Sequence, residues 1–335
     1  MDKPADHPPV APPRIGVLLI NLGTPDAATP VAVKRYLREF LSDRRVVELP
    51  PILWQPLLRG VVLNTRPAKS AHAYGQIWTD DGSPLDAITR AQARGLADSF
   101  GPVVTVDYAM RYGQPTIPDK LHALKAMGCE RILIAPLYPQ YSGATTGTVN
   151  DKAFATLAAM RWQPAIRTLP PYHDDPDYIA ALAASISASL AELCFEPEVL
   201  VTSFHSMPEA TLIKGDPYHC QCQKTARLLS AALGRDLVVS FQSKLGRAKW
   251  LGPPTEATLA RVAGEGVKSV AVVTPGFSAD NLETLEEIAI RGRETFMAAG
   301  GRDFACLPCL NDSEPGMAML RKLLARELEG WSAPV

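Results

Sequence analysis

No stretch of about 18 residues in this chain is free of charge and proline, so no segment reads as a helix that crosses a bilayer. The most apolar long stretch, residues 46–63, is broken by Glu48, Pro50, Pro51, Gln55, Pro56 and Arg59. An excess of either charge is missing too. The 34 Lys and Arg balance 35 Asp and Glu to a net charge of -1, which provides no broad basic field for a nucleic-acid backbone. An acidic small molecule would have to be met by a few local Arg or Lys. Residues 1–13 are rich in proline and lack the basic start and apolar core of a secretory signal, so they read as a disordered tail and the chain as cytoplasmic. In a reducing compartment the six cysteines are core thiols or metal ligands before they are disulfides. A Gly-rich phosphate loop is also absent after the first apolar run, where "NLGTPD" is too short to be a dinucleotide fingerprint.

What is present is an alternation. Short runs rich in Val, Ile and Leu predict strands at 15–21, 103–110, 131–137, 199–204, 237–241 and 268–274. Longer patterns between them predict helices at 91–99, 118–127, 177–193, 223–233, 255–263 and 282–299. Such βαβ units build an α/β fold with parallel sheets covered on both faces. At 335 residues the chain exceeds one typical core, so two lobes are expected. The halves echo each other: "GVLLINLGTP" resembles "EVLVTSFHSMP", and "RILIAPLYPQYS" resembles "SVAVVTPGFSAD". Any pair of α/β strands can end this way, so the repeat is an expectation for the fold to test. The Pro- and Asp-rich run at 161–175 suggests an N-terminal lobe over 14–165 and a C-terminal lobe over 166–335.

In open α/β sheets the ligand lies beyond the carboxyl ends of the strands. His205 stands at such an end, where a neutral imidazole can take a proton or ligate a metal. A histidine that merely caps the next helix is the ordinary alternative. In "SADNLETLEEI" the acids Asp280, Glu283 and Glu287 recur at i, i+3 and i+7, which on an α-helix puts them on one face. Acidic faces are usually just solvated. This one starts at a strand end, where stacked carboxylates could pass a divalent cation inward or accept protons.

Several motifs then occur in a consistent order: "NLGTP" (21–25), "GSPL" (82–85), "YPQYSGATTG" (138–147), "SFHSMP" (203–208), "GDPY" (215–218), "QSKLG" with "WLGPPT" (242–255) and "SADNLETLEEI" (278–288). Over residues 14–325 the chain resembles the ferrochelatases of bacterial type. That resemblance implies two similar Rossmann-like lobes, each a parallel sheet flanked by helices, with a porphyrin cleft between them. It also implies a lyase that inserts Fe(II) into protoporphyrin IX with release of two protons, giving protohaem. His205 and Glu283 would face each other across the macrocycle, with Asp280 and Glu287 as further metal-guiding groups. Two pyrrole protons must leave as the metal enters, so a base on one face and ligands on the other make chemical sense. The family also binds the ring distorted, which would expose a nitrogen lone pair.

For the porphyrin, the resemblance nominates Arg66 for a propionate, with Tyr74 and Ser83 as hydroxyl donors. Arg111 and Tyr112 are further cleft candidates, although a surface Arg or a packed Tyr would look the same in sequence. Tyr138, Trp250 and Phe277 would contact the ring, and residues 36–41 with Val46, Ile52 and Trp54 resemble an apolar lip. That lip could touch a bilayer, placing the protein in the cytoplasm or at the inner-membrane surface. Leu22 stands where the coproporphyrin-using branch has Tyr, which favours protoporphyrin IX. Asn281 stands where many members have His, so one relay ligand is missing. Cys220, Cys222, Cys306 and Cys309 are candidate [2Fe-2S] ligands, with His219 a lesser zinc candidate. Two rivals remain: a porphyrin or haem carrier that needs no base, and a two-lobed glycosyltransferase in which Glu286 and Glu294 would carry the second-lobe acids.

Overall fold

The computed structural model describes residues 14–244 and 248–331. The expected tail at 1–13 and the end of the "QSKLG" motif lie outside the described residues. The chain forms eight strands: β1 (Arg14–Gly23), β2 (Val104–Tyr112), β3 (Cys129–Pro136), β4 (Ala165–Thr168), β5 (Val199–His205), β6 (Leu237–Gln242), β7 (Ser269–Val273) and β8 (Asp303–Cys306). They make two four-stranded parallel sheets ordered β2-β1-β3-β4 and β6-β5-β7-β8. The strand order is the same in both, so the repeat suggested by the paired segments is a repeat of topology.

Helices alternate with the strands. They are α1 (Pro30–Ser42), α2 (Pro51–Leu57), α3 (Leu63–Ile77), α4 (Pro84–Phe100), α5 (Ile117–Ala126), α6 (Thr148–Ala158), α7 (Pro176–Ala191), α8 (Glu209–Ile213), α9 (Tyr218–Leu233), α10 (Thr255–Gly264), α11 (Arg293–Ala298) and α12 (Glu314–Leu328). Three wider π-helical turns join them: π1 (Leu58–Val62), π2 (Gly143–Gly147) and π3 (Glu283–Gly292). None of the helices among the described residues is long and apolar enough to cross a membrane.

The strand pleat sorts the apolar residues between layers. In β1, Val17 and Leu19 face inward with Leu133 and Ala135 of β3, while Leu18 and Ile20 face outward with Ile132 and Ile134. In the second sheet Leu200, Ala271 and Val273 face the same inner layer, and Val201, Val270 and Val272 face out. That inner layer also holds Leu96 of α4, Ile179 and Leu182 of α7, Leu229 of α9 and Leu323 and Leu324 of α12. One continuous core therefore joins the lobes, and strands buried on both faces explain why their sequences run apolar without alternation.

Two expectations need correction. β4 pairs with β3 from Arg131↔Ala165 to Ile134↔Thr168, so the first sheet runs past the lobe boundary placed at residue 165. Its four residues are half-buried or exposed, as are three of the four in β8, and edge strands this short leave no apolar run to read. The helix expected at 282–299 is π-helical as far as Gly292 and becomes α-helical only from Arg293.

Candidate active site

β5 delivers His205 to its carboxyl end, in register with Gln242 of β6. The Nδ1 of His205 lies 2.6 Å from the carbonyl oxygen of Ser206. A carbonyl only accepts, so Nδ1 carries the hydrogen and Nε2 keeps a free lone pair. Ser206 is itself held, its N–H donating to Gln242 O at 2.7 Å and its hydroxyl to Leu251 O at 2.8 Å. Gln242 receives a hydrogen bond from Ser203 Oγ at 2.6 Å and donates through Nε2 to Glu283 O at 2.7 Å. A chain of three bonds thus fixes the backbone of Glu283 against the strand that carries His205. Burial pushes the Glu283 carboxyl above the usual carboxylate range; the nearby His205 works against that, and Glu287 and Glu286 add to it.

Asp280 and Glu287 do not join Glu283 as a stack of free carboxylates. Asp280 precedes the helix and is spent on structure: it accepts from Asn311 Nδ2 at 2.7 Å and Thr284 Oγ1 at 2.9 Å. Glu287 accepts from the N–H and hydroxyl of Ser243 at 2.8 and 2.5 Å, fixing the start of the segment after β6. Among the described residues no group of three or more His, Cys, Asp or Glu side chains is gathered to hold a metal ion. The i, i+3, i+7 arithmetic fails because it assumed an α-helix running through all three positions.

Opposite π3 stands the lip of the first lobe. Leu282 and Leu285 pack against Val33, Ala71, Tyr74 and Ile77 of α1 and α3. Tyr36 and Tyr74 are buried there, and their hydroxyls are held neutral chiefly by burial, with Glu283 close enough to reinforce the effect. Thr24 donates to Ser83 Oγ at 2.8 Å at the foot of α4, beside Tyr74. Leu22 is half-buried at the end of β1, and Phe277 half-buried after β7. The hydroxyl of Tyr138 and the indole N–H of Trp250 are buried with no protein partner, which suits groups that meet a ligand. Arg66 is exposed on α3. Tyr36 was visible in the sequence only as part of an apolar segment; its proximity to Glu283 depends on two lobes meeting.

Arg111 and Tyr112 are engaged with a carboxylate of the same lobe. The Arg111 guanidinium pairs with Asp43, and its Nε donates to Thr148 Oγ1 at 2.8 Å; Tyr112 is fully buried and donates to the same Asp43 at 2.9 Å. Thr148 donates to that carboxylate as well. Burial opposes the Asp43 charge, yet the bonds from Thr148, the Arg45 N–H and Tyr112, with the charge of Arg111, hold its carboxyl below the usual range. This cluster staples the end of α1 to β2 and α6 and sets where the lip stands.

The four candidate cluster cysteines do not converge. Cys222 is buried against Phe204 and Phe241 near the β6 edge, Cys220 points to solvent from the same helix, and Cys306 ends β8 at the opposite edge of the sheet. Three strand spacings of about 4.8 Å separate those edges. Cys309 is buried beside Thr274, 3.3 Å from its hydroxyl. The residues present do not fit a [2Fe-2S] cluster. His219 stacks on Phe241 rather than facing other metal-ligating groups.

Residues 14–328 match the ferrochelatase family model. A ferrochelatase of Rhizobium meliloti strain 1021 is 57% identical over 338 residues, covering 99% of this chain and 100% of the relative. That of Agrobacterium fabrum strain C58 is 54% identical over 335 residues, covering 98% and 97%. Among solved structures, SirB from Bacillus subtilis with Fe3+ has a TM-score of 0.59 at 10% identity, covering 95% of this chain and 97% of that one. CbiX, the terminal enzyme of sirohaem biosynthesis in denitrifying bacteria, has a TM-score of 0.52 at 13% identity, covering 94% and 100%. These two share the fold.

Proposed function

The chain belongs to the ferrochelatase family, and from that premise we propose how its own residues insert ferrous iron into a porphyrin with release of two protons. The family assignment displaces the glycosyltransferase and carrier alternatives. One observation carries the residue roles: the hydrogen bond from His205 Nδ1 to Ser206 O leaves Nε2 free as a base, with His205 close enough to Glu283 to act on its charge.

His205 takes a pyrrole proton at Nε2, and its Nδ1–H, held by the carbonyl, helps carry the positive charge that results. Glu283 binds the incoming iron or receives the second proton; a carboxyl pKa raised by burial suits a group that holds a proton more readily than a free carboxylate. The bond from Gln242 keeps the Glu283 backbone in place while its side chain does this work. Each pyrrole N–H bond that breaks is replaced by an N–Fe bond, so two protons leave for each iron taken up. Tyr36 and Tyr74, neutral and buried, wall the cleft from the lip.

Leu22 at the strand end gives the ring an apolar neighbour and supports protoporphyrin IX as substrate, while Arg66 is the cation available on α3 for a propionate. We also read the protein as cytoplasmic, touching the inner-membrane surface through its exposed lip residues Ile52 and Leu53. The test is anaerobic assay with Fe(II) and protoporphyrin IX, followed by the haem spectrum. Many turnovers are expected. His205→Ala should lower kcat by about a thousandfold, within the usual worth of a general base, and still bind porphyrin. A variant with normal kcat removes His205 from the chemistry.

A further inference from the structure

The lip carries a surface that iron insertion does not use. Along α2 and π1, Ile52, Leu53, Leu57 and Val61 are 83%, 69%, 47% and 51% exposed. Positions 53, 57 and 61 recur every fourth residue, so they lie along one side of a nearly continuous helical segment. A row of exposed aliphatic side chains is a contact surface awaiting an apolar phase. Beside it, Lys34 and Arg38 of α1, Arg59 of π1 and Leu63 line a groove of about 460 Å³. Lys34 Nζ donates to Asn64 Oδ1 at 2.9 Å. Among the described residues, none of the three cations meets a carboxylate within ion-pair distance. The acids of the lip are engaged elsewhere: Glu39 accepts from the Gly113 N–H, Asp43 is held by Arg111, and Glu48 pairs with Lys214. Residues 30–70 hold eight Lys or Arg against three Asp or Glu, in a chain whose net charge is -1.

We propose that the Lys34–Arg38–Arg59 groove seats the phosphate of an anionic phospholipid headgroup while the row from Ile52 to Val61 enters the bilayer beside it. This deepens the membrane contact read above and rests on it. Charge complementarity selects the occupant. A free phosphate would satisfy the cations and leave the apolar row in water, and a neutral apolar partner would cover the row and leave three desolvated cations unpaired.

The test is co-sedimentation of the full chain at low salt with vesicles of phosphatidylcholine alone and of equimolar phosphatidylcholine and phosphatidylglycerol. Wild type is expected to bind the anionic vesicles more tightly. Replacing two of the three cations (Arg38→Gln with Arg59→Gln) should weaken that binding about 30-fold, roughly fivefold per cation removed, and leave residual binding to phosphatidylcholine and turnover of a water-soluble porphyrin without vesicles unchanged. Ile52→Ser with Leu53→Ser should reduce binding to both vesicle types. If the double charge variant binds anionic vesicles as wild type does, the groove proposal is overturned and the apolar contact stands. If wild type binds neither vesicle, both fall. If inorganic phosphate protects the groove while anionic vesicles are ignored, the ligand is a free anion and the bilayer assignment is overturned.

Discussion

The two lobes share a strand order and differ in what they place at equivalent points. Asn21 of β1 pairs with Met110, whose N–H donates to Pro115 O; Phe204 of β5 pairs with Phe241, whose N–H donates to Pro253 O. Met110 and Phe241 are therefore equivalent, and so are the residues that follow on the neighbouring strands, Leu22 and His205. One lobe offers an aliphatic side chain where the other offers a base. The third strands repeat the contrast. After β3 comes π2, whose first N–H is covered by Asp216 from the other lobe at 2.7 Å; after β7 comes π3, which starts with Glu283. The common topology supplies two matching rims at the strand ends, and the imidazole of His205 and the buried carboxyl of Glu283 both stand on one of them. The first lobe contributes walls and position.

Substitutions on the two rims should therefore fail differently. The largest effect after His205→Ala is expected for Glu283→Gln, with kcat lowered about a hundredfold or more and porphyrin affinity retained. Its stability should move the other way. Because the folded state raises this carboxyl pKa, the folded protein holds the proton more tightly than the unfolded chain. Stability conferred by that proton is lost as pH rises from the ordinary glutamate value through the raised one. Thermal melts across that window should show Glu283→Gln losing less stability than wild type, and an identical pH profile would remove the burial argument.

On the other rim, Asp43→Asn should cost about 3 kcal/mol in urea unfolding, since it leaves Arg111 without its charge partner, while kcat changes much less than for Glu283→Gln. Here the folded pKa is depressed, so the stabilisation is present above the ordinary aspartate value and lost as pH falls through the lowered one. The acid limb of the wild-type stability curve should flatten in the variant. If kcat collapses instead, the first lobe holds more than position. The smallest effect is expected for Leu22→Ala: a KM for protoporphyrin IX raised about tenfold, as for loss of one aliphatic contact, with kcat within a factor of about two. A kcat loss as large as that of His205→Ala would break the division of labour between the rims.

Much of this division could be read from the residues. Six of the eight strands follow from apolar runs, most clearly the central β1, β3, β5 and β7, which are covered on both faces, and His205 and the helix that starts with Glu283 follow from lying beyond such strand ends. The half-buried edges β4 and β8 lack that signal. The partner of Arg111 and Tyr112, Asp43, is remote in sequence, and a buried ion pair and a ligand-binding cation have the same local spelling, so the residues alone do not separate the two. The partners of Asp280 and Glu287 were not legible, because spacing converts into direction only with the right number of residues per turn.

The wide turn of π3 constrains length as well as identity. In π3 the turn is wider than 3.6 residues, so losing one residue between Thr284 and Gly292 would let the segment relax towards an α-helix and change the direction in which the Glu283 side chain leaves it. A chain shortened there by a single codon would keep every functional side chain and aim its carboxylate at the wrong wall.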